Sequence, residues 1–453
     1  MIRSLNINVW KVGDFKISFL RLCRFLLGLF VIVFPLQLQS LVYVGTNYET
    51  GNFNPFQVYA VHLSDLLLLG ALSCWGLAYL KGENIKKLSV GDNMIALLIM
   101  LFAIVAIAGV FFTAREKVLA FYLLLQFALM GLFFLMVVNE VLSQDELMKL
   151  FLGGMIFQAG LAMAQFFAQH SVGLNFVGEP YVTAKTLGVA KIDWVGTKVL
   201  RPFGTFPHAN ILGGALFISI LMSFHQFRKK HLWLVIVLAF LSAAFVLSFS
   251  RSAFFALIVA FLLYVSLTED KRVFKIVFLS ASFLVFFLIF FNLEVIFFKR
   301  FFQLSGDDSL LERVNYLFIS KRMFMEHPLG VGLGGFTVNM QNYADDKLLP
   351  WLFQPVHNVF ALVGNEIGLL GAFLLLFLFV YIFYALLKCI SNKKNTIAER
   401  NYGQILMSLL GGVIVICFFD HYFYSIYQGQ VMSAFLLGLI SIYLKRCALF
   451  EKT

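Results

Sequence analysis

Apolar stretches of roughly 18 or more residues recur along almost the whole chain, and each is long enough to cross a hydrocarbon layer of about 30 Å as a helix. Because backbone amides and carbonyls cannot stay unpaired in lipid, such stretches must form helices or a closed barrel. The runs are continuous rather than alternating, which favours helices. The sequence therefore predicts an all-α polytopic membrane protein.

The composition agrees with this prediction. Hydrophobic residues make up 61% of the 453 residues and charged residues only 13%, whereas a soluble domain averages about 45–50% apolar and about 25% charged residues. The net charge of +11 would also suit a nucleic-acid-binding protein. In a membrane protein, however, lysine and arginine crowd the cytoplasmic connections. We therefore expect membrane lipids around the chain and no nucleic acid partner.

We predict about twelve spans in a single integral membrane domain that covers residues 1–453. The spans centre on residues 17–38, 60–80, 93–113, 118–138, 150–170, 210–226, 232–249, 253–268, 273–292, 368–388, 404–420 and 429–445. Short basic connections such as "KGENIKK" (81–87), "FRKKH" (227–231) and "KCISNKKNTIAER" (388–400) predict the cytoplasmic side. An even number of spans then returns both termini to the cytoplasm.

Two long loops lie on the opposite side, at residues 171–209 and 293–356. The second loop contains a segment, Glu312 to Met325, that fits an amphipathic helix lying on the membrane surface or capping the bundle. Its apolar positions are Val314, Leu317, Phe318, Ile319 and Phe324. The run "GVGLGG" (330–335) predicts a turn and not a phosphate-binding P-loop, because no strand precedes it and no Gly-Lys-Ser/Thr follows.

Several polar residues stand at the ends of predicted spans on this side. Arg201, His208 and Asn210 belong to "RPFGTFPHANILGG", just outside span six. Arg251 lies in "LSFSRSAFF", between two spans with almost no loop around it. An arginine so close to hydrocarbon is costly unless it reaches the headgroups or finds a partner. It either anchors the protein to lipid headgroups or belongs to an anion site, and the serines around it suit a polar pocket.

His357 follows Pro355 where the second loop returns to the membrane. A single histidine at an interface is more often structural than catalytic. The position of His357 favours a catalytic role, because Arg201, Arg251 and Arg313 are predicted on the same side of the membrane. Further ionisable residues of that side stand at span ends, namely His62, Asp65, Asp420 and His421.

These residue types suit one kind of chemistry. Guanidinium groups are always charged and bind phosphate oxygens bidentately, and a neutral imidazole suits a general base. Together they predict glycosyl transfer from a sugar on a lipid diphosphate to a hydroxyl, in a single inverting displacement. The loop acids do not form a pattern for hard metal ions, so we expect neither a metal nor another cofactor. Those acids are Glu179, Asp193, Asp307, Asp308, Asp345 and Asp346.

The segment "HNVFALVGNEIGLLG" resembles the signature of the bacterial O-antigen ligase and polymerase superfamily. That signature is His-[Asn/Ser/Gln], nine residues, Gly, two residues and [Gly/Thr/Tyr], and here it falls on His357-Asn358, Gly368 and Gly371. Three further segments look similar to family segments, in family order, and the resemblance covers about residues 195–371. The three are "RPFGTFPHANILGG", "SFSRSAFF" and "ERVNYLFISKRMFMEHPLGVGLGGF".

The resemblance implies a GT-C-type glycosyltransferase of the bacterial inner membrane, with a large periplasmic loop. Ligases of this superfamily transfer a glycan from undecaprenyl diphosphate to lipid A–core oligosaccharide, and polymerases transfer it to another lipid-linked repeat. By motif matching, His357 would be the base that activates the acceptor. Arg251 and Arg313 would bind the diphosphate, with Arg201 as a third contact. The supporting residues would be Asn358, His208 and Asn210.

Two alternatives to a ligase remain open on the sequence. A polymerase would carry the same motifs, and we favour a ligase because ligases are usually described by the His-Asn signature with its glycine spacing. A lipid-glycan transporter would also have about twelve spans and interior arginines. Transporters more often show internal symmetry and broken helices near the midplane, whereas here the polar residues gather on one side.

Overall fold

The computed structural model of the chain describes residues 18–44, 55–83, 87–186, 188–194, 197–226, 231–268, 289 and 308–450. Helices dominate this part of the chain, which confirms the prediction of an all-α polytopic membrane protein. Apart from residue 289, the predicted span 273–292 lies outside the described residues. So do residues 293–307, with which the second long loop begins.

Each of the other predicted spans coincides with a helix. Within the described residues, eight helices are long and apolar enough to cross a membrane. They are α2 (Leu63–Leu80), α3 (Asn93–Phe112), α4 (Lys117–Val138), α5 (Gln144–Ala168), α6 (Ala209–Gln226), α11 (Val359–Ser391), α12 (Ile397–Phe419) and α14 (Tyr427–Phe450). Three shorter apolar helices are α1 (Phe19–Val33), α7 (His231–Leu247) and α8 (Arg251–Leu267).

Polar caps define where several of these helices begin. Ser143 and Glu146 form a reciprocal capping box at the start of α5, and Thr396 and Glu399 form another at the start of α12. Asp92 accepts hydrogen bonds from two amides of the first turn of α3. Such caps satisfy amides that have no partner inside the helix. The capping box explains why α5 begins six residues before the predicted boundary at residue 150.

The helices form one bundle with a central and a peripheral set. α6 is central, since 89% of the residues in its 18-residue apolar stretch are buried inside the protein. The corresponding shares for α12 and α14 are 78% and 72%. In α2 and α3 only 28% is buried, as expected for helices that face lipid. α12 packs on α8 and α6, α4 packs on α14, and α11 packs between α3 and α12.

Close approach at one end of α6 depends on a glycine. A Cβ atom at Gly214 would lie 2.0 Å from the hydroxyl oxygen of Tyr422. Tyr422 begins the short helix α13 (Tyr422–Ser425), directly after the end of α12. A glycine at this position therefore allows the two segments to approach closely.

Short strands lie in the connections at the ends of the bundle. The sequence analysis predicted loops there and did not predict these strands. β1 (Gln39–Val44) pairs antiparallel with β2 (Val58–His62), and β3 (Lys191–Trp194) pairs antiparallel with β4 (Thr197–Leu200). The β3–β4 hairpin lies inside the first predicted loop, 171–209. The alternating apolar residues of such short strands are hard to distinguish from a loop in sequence.

The amphipathic segment of the second loop is helix α9 (Asp308–Glu326), but its buried face differs from the predicted one. Tyr316, Ile319 and Met323 are buried, whereas Val314 and Phe318 are exposed. The buried positions recur every three or four residues and pack on α11. The helix therefore turns a second apolar face outward.

α11 begins nine residues before the predicted span boundary at Gly368, and it is broken at that glycine. Gly368 has φ 83° and ψ −179° inside an otherwise helical run. The break frees backbone groups, and the loop after α9 pairs with them. The amide of Leu369 donates to the carbonyl of Pro328 at 2.9 Å, and the amide of Val331 donates to the carbonyl of Asn365 at 2.8 Å. A membrane helix tolerates a break where neighbouring backbone satisfies the freed groups.

We expect the substitution Gly368→Ala to destabilise the protein. A Cβ atom at this position would lie 2.5 Å from the backbone of Leu329, and the positive φ disfavours any residue with a side chain. The strain should cost about 1–3 kcal/mol, measurable as a lower midpoint of thermal unfolding in detergent. The control is Gly131→Ala in α4, where a Cβ would meet nothing within 4 Å. An equal midpoint for both variants would contradict the assignment of the break.

Candidate functional site

The site lies where the start of α11 meets the end of α12. Asn358 is the N-cap of α11, and its Oδ1 accepts a hydrogen bond from the amide of Ala361 at 2.9 Å. Its Nδ2 donates to the carbonyl of Phe418, near the end of α12, at 3.2 Å. Asn358 therefore fixes the position of the neighbouring His357 relative to the last turn of α12.

Asp420 and His421 follow α12 directly and lie beside His357. Asp420 ends the helix in an extended conformation, and its Oδ1 accepts from the amide of His421 at 2.9 Å. The rings of His357 and His421 meet edge to face, with centroids 5.0 Å apart. One ligand-type atom from each of the three residues lies within 4.8 Å of the others.

Aromatic side chains close two sides of this group. The ring of Tyr316 in α9 stacks on His357 with centroids 5.7 Å apart and planes 8° apart, and its hydroxyl donates to the carbonyl of Leu352. Phe56, just before β2, meets His421 edge to face at 5.6 Å. His421 is further held by a 2.5 Å hydrogen bond between its Nδ1 and Ser425. Packing therefore holds both histidines in place, and a hydrogen bond also holds His421.

A chain of buried polar contacts joins the first loop to Asp420. Arg201 donates through Nε to the carbonyl of Ser248 at 2.8 Å and through an Nη to Asn210 Oδ1 at 2.7 Å. Asn210 in turn donates through Nδ2 to Asp420 at 2.8 Å. The Nδ1 atom of His208 accepts from the amide of Asn210 at 3.0 Å. Each buried charge in this chain is hydrogen-bonded, as a low-dielectric environment requires.

Arg313 and Arg251 occupy different positions relative to this group. Arg313, in α9, donates to the carbonyl of Phe419 at 3.0 Å and so lies at the end of α12, next to Asp420. Arg251 begins α8 after Ser250, whose hydroxyl caps the helix. Ser248, three residues before Arg251, accepts from Arg201. The structure thus places Arg313 at the end of α12 and links Arg201 to Asp420 through Asn210, and it places Arg251 close in the chain to Ser248.

Burial and neighbouring charges set the protonation states. Burial lowers the pKa of His357 to about 3, against the opposing effect of Asp420, and it lowers the pKa of His421 to about 4. Burial also lowers the pKa of His208 to about 3, and Arg201 adds to this. Burial alone would raise the pKa of Asp420, but His357, His421 and Arg313 outweigh it and hold the value at about 2. At neutral pH the imidazoles are neutral and Asp420 is ionised.

The hydrogen-bonding capacity of the His357 ring is not fully used within the described part of the chain. Its Nδ1 atom is buried and has no hydrogen-bond partner among the described residues. A neutral imidazole keeps one lone pair that can accept a proton. A proton accepted there would create a cation next to the Asp420 carboxylate, which stabilises it.

The same three side chains, His357, Asp420 and His421, have a spacing that would admit a metal ion. Some of the atoms that could bind a metal already form hydrogen bonds with neighbouring groups of the protein. Nδ1 of His421 is engaged with Ser425, and the Asp420 oxygens accept from Asn210 and from a backbone amide. The expectation that the chemistry needs no metal stays a prediction.

The sequence analysis predicted some residues of this site and missed others. His357, Asn358, His208, Asn210, Arg201 and Arg313 come together as their positions at span ends suggested. Asp420 and His421 were placed on this side, but no role was given to them. An acid and a histidine directly after an apolar run were the available signal. Tyr316 was missed, although it lies three residues after Arg313 and therefore on the same helix face.

His62 and Asp65, which were also predicted on this side, form a separate cluster. His62 caps α2, and its Nδ1 lies 3.3 Å from Asp65. Its ring stacks on Tyr427 with centroids 4.0 Å apart. This cluster anchors the β2–α2 corner against the start of α14 rather than joining His357.

A comparison with protein-family models gives one match, to the model described as O-antigen ligase, over residues 234–376. The matched region runs from α7 through the break in α11, and it contains Arg251, Arg313 and His357. No curated protein matches the chain. Residues 234–376 of this multi-pass membrane protein, which has several apolar helices, are therefore similar to the O-antigen ligase family.

Proposed function

We propose that the chain is an O-antigen ligase-type glycosyltransferase. It takes a glycan from undecaprenyl diphosphate and passes it to a hydroxyl of lipid A–core oligosaccharide. The observation that carries this proposal is the neutral imidazole of His357, whose Nδ1 has no hydrogen-bond partner among the described residues, beside the Asp420 carboxylate and with Arg313 at the same helix ends. The family match at residues 234–376 supports the reaction class.

His357 acts as the general base in this proposal. It removes the proton of the acceptor hydroxyl as the oxygen attacks the anomeric carbon of the donor sugar. The Asp420 carboxylate stabilises the imidazolium that forms, and Tyr316 holds the ring plane by stacking. The bond from the sugar to the diphosphate breaks on the opposite face, so the configuration at the anomeric carbon inverts.

Arginines stabilise the departing diphosphate. Undecaprenyl diphosphate is already a good leaving group, so it needs positive charge rather than a proton donor. Arg313 lies next to His357 and Asp420 and is the first candidate. Arg251 flanks the polar chain at the start of α8. Arg201 is fully engaged with Ser248 and Asn210 and acts mainly by holding Asn210 on Asp420.

The orientation of the protein follows from the same proposal. The end of the bundle that carries His357 faces the periplasm, where lipid-linked glycans are used, and both termini face the cytoplasm of a bacterial inner membrane. The architecture is of the GT-C type. The acceptor distinguishes a ligase from a polymerase, because a polymerase joins the glycan to a second lipid-linked repeat at the same kind of site.

The proposal is tested by reconstitution. Purified protein in detergent receives a lipid-diphosphate glycan and either lipid A–core or a second lipid-linked glycan, with a chelator and without nucleotide. We expect transfer to lipid A–core. Product from the second acceptor alone would show a polymerase, and glycan movement across liposomes without transfer would show a transporter. Activity that returns only with added divalent metal would contradict the metal-free mechanism.

We expect His357→Ala to lower the transfer rate by about 10²–10⁴-fold, because the acceptor loses its base. The matched control is His327→Ala, an exposed histidine at the end of α9. Rates are measured by the appearance of glycosylated acceptor on gels or by mass spectrometry. A His357→Ala enzyme that is folded and as fast as the control would refute the role of this residue.

We expect Arg313→Ala to weaken both donor binding and turnover, since the diphosphate loses a charge partner in the ground state and in the transition state. The loss should reach about 10²-fold or more in kcat/KM for the donor. Arg322→Ala is the control, because this arginine belongs to the same helix but pairs with the exposed Asp345 at 2.6 Å. Equal effects of the two substitutions would mean that Arg313 does not bind the diphosphate specifically and that only the net positive charge of α9 matters.

A further inference from the structure

A carboxyl group lies inside α11, nine residues after His357 in the chain. Glu366 is 5% exposed and stands two residues before the break at Gly368. An acidic side chain inside a membrane helix is costly unless it is paired, and such residues usually have a function. The transfer mechanism makes no use of it.

Three segments meet at the Glu366 side chain and backbone. The hydroxyl of Tyr424 donates to Oε2 at 3.0 Å. The backbone amides of Gly334 and Phe336, at the start of α10 (Gly335–Asn339), lie beside the same carboxyl group. The amide of Gly332 donates to the Glu366 carbonyl at 2.9 Å. Glu366 therefore joins α11 to α13 and to the glycine-rich loop.

The two segments joined by the Tyr424 contact carry the reacting groups. Tyr424 lies in α13, four residues after Asp420 and three after His421, and its carbonyl accepts from Gln430 at 2.8 Å. Glu366 lies in the half-helix 359–367, whose cap follows His357 directly. This half-helix spans only about 13 Å, so a shift at one end moves the other. The hydrogen bond thus fixes one reacting segment against the other.

We propose that Glu366 is a positioning residue, which sets the distance between His357 and the Asp420–His421 pair through its hydrogen bond to Tyr424. The inference rests on the proposed transferase function. Glu366 touches neither donor nor acceptor. It acts on the geometry in which the acceptor proton is removed, and misplacement of about 1 Å at such a site can cost about 10²-fold in rate.

The test compares Tyr424→Phe with Glu366→Gln and Tyr402→Phe. The first removes the hydroxyl that donates to Glu366, whereas the second keeps the size of the side chain and an oxygen that accepts from this hydroxyl. Tyr402 is also buried, at the far end of α12 from Asp420, and its hydroxyl has no hydrogen-bond partner among the described residues. Steady-state transfer, thermal unfolding and hydrogen exchange of residues 420–427 by mass spectrometry are measured for each purified protein.

For Tyr424→Phe we expect kcat to fall by about 10- to 100-fold, with donor KM within about twofold of the original. Its amide exchange in 420–427 should become at least about threefold faster, and its unfolding midpoint should match that of Tyr402→Phe. Glu366→Gln keeps the hydrogen bond and should stay close to the Tyr402→Phe control in kcat and in exchange. For Tyr424→Phe, unchanged exchange, a change in KM alone, or a kcat equal to that of the control would overturn the proposal. Exchange reports on the contact without any glycan, so an unmodified protein that transfers nothing would refute the function and not this contact.

Discussion

The need to pair every backbone polar group inside a membrane governs this structure. A continuous helix meets that need by itself, but α11 is interrupted at Gly368, and the interruption frees amides and carbonyls. The loop after α9 forms hydrogen bonds with these groups. The amide of Val331 in the loop donates to α11, and the amide of Leu369 in α11 donates to the loop. That loop is therefore fixed to α11. Helix α9, which ends just before the loop, is brought with Arg313 and Tyr316 to the start of α11.

The electrostatics of the site follow from this arrangement. Burial keeps the imidazoles of His357, His421 and His208 neutral, while the adjacent histidines and Arg313 lower the pKa of Asp420 and keep it ionised. Burial disfavours a charged His357, and the fixed carboxylate of Asp420 offsets part of that cost if the imidazole accepts a proton. The hydrogen bonds from Asn210 and from the His421 amide hold the carboxylate in place. The polar chain thus supplies orientation, and in the proposed mechanism the acid–base chemistry stays with the residues at the helix ends.

Much of the fold was predictable because apolar length alone determines a membrane helix. Helix starts were less predictable: α5 begins at its capping box, and α11 begins at Asn358, where a polar cap and not the apolar run sets the boundary. The meeting of His357 with Arg313 could be anticipated from their shared side of the membrane. The contact of Tyr316 with His357 could not, because it depends on which face α9 buries, and that face is decided by tertiary packing. The sequence pattern favoured Val314 and Phe318, which are exposed.

The space that Gly214 leaves for Tyr422 couples two distant parts of the chain. The phenol ring occupies the volume that a methyl group would fill, so the turn that follows α12 rests on bare backbone of α6. A larger side chain at position 214 would displace Tyr422, and with it the turn that contains Asp420 and His421. Variation at this glycine, far from the signature segment in sequence, is therefore constrained by the chemistry at the opposite end of the polypeptide.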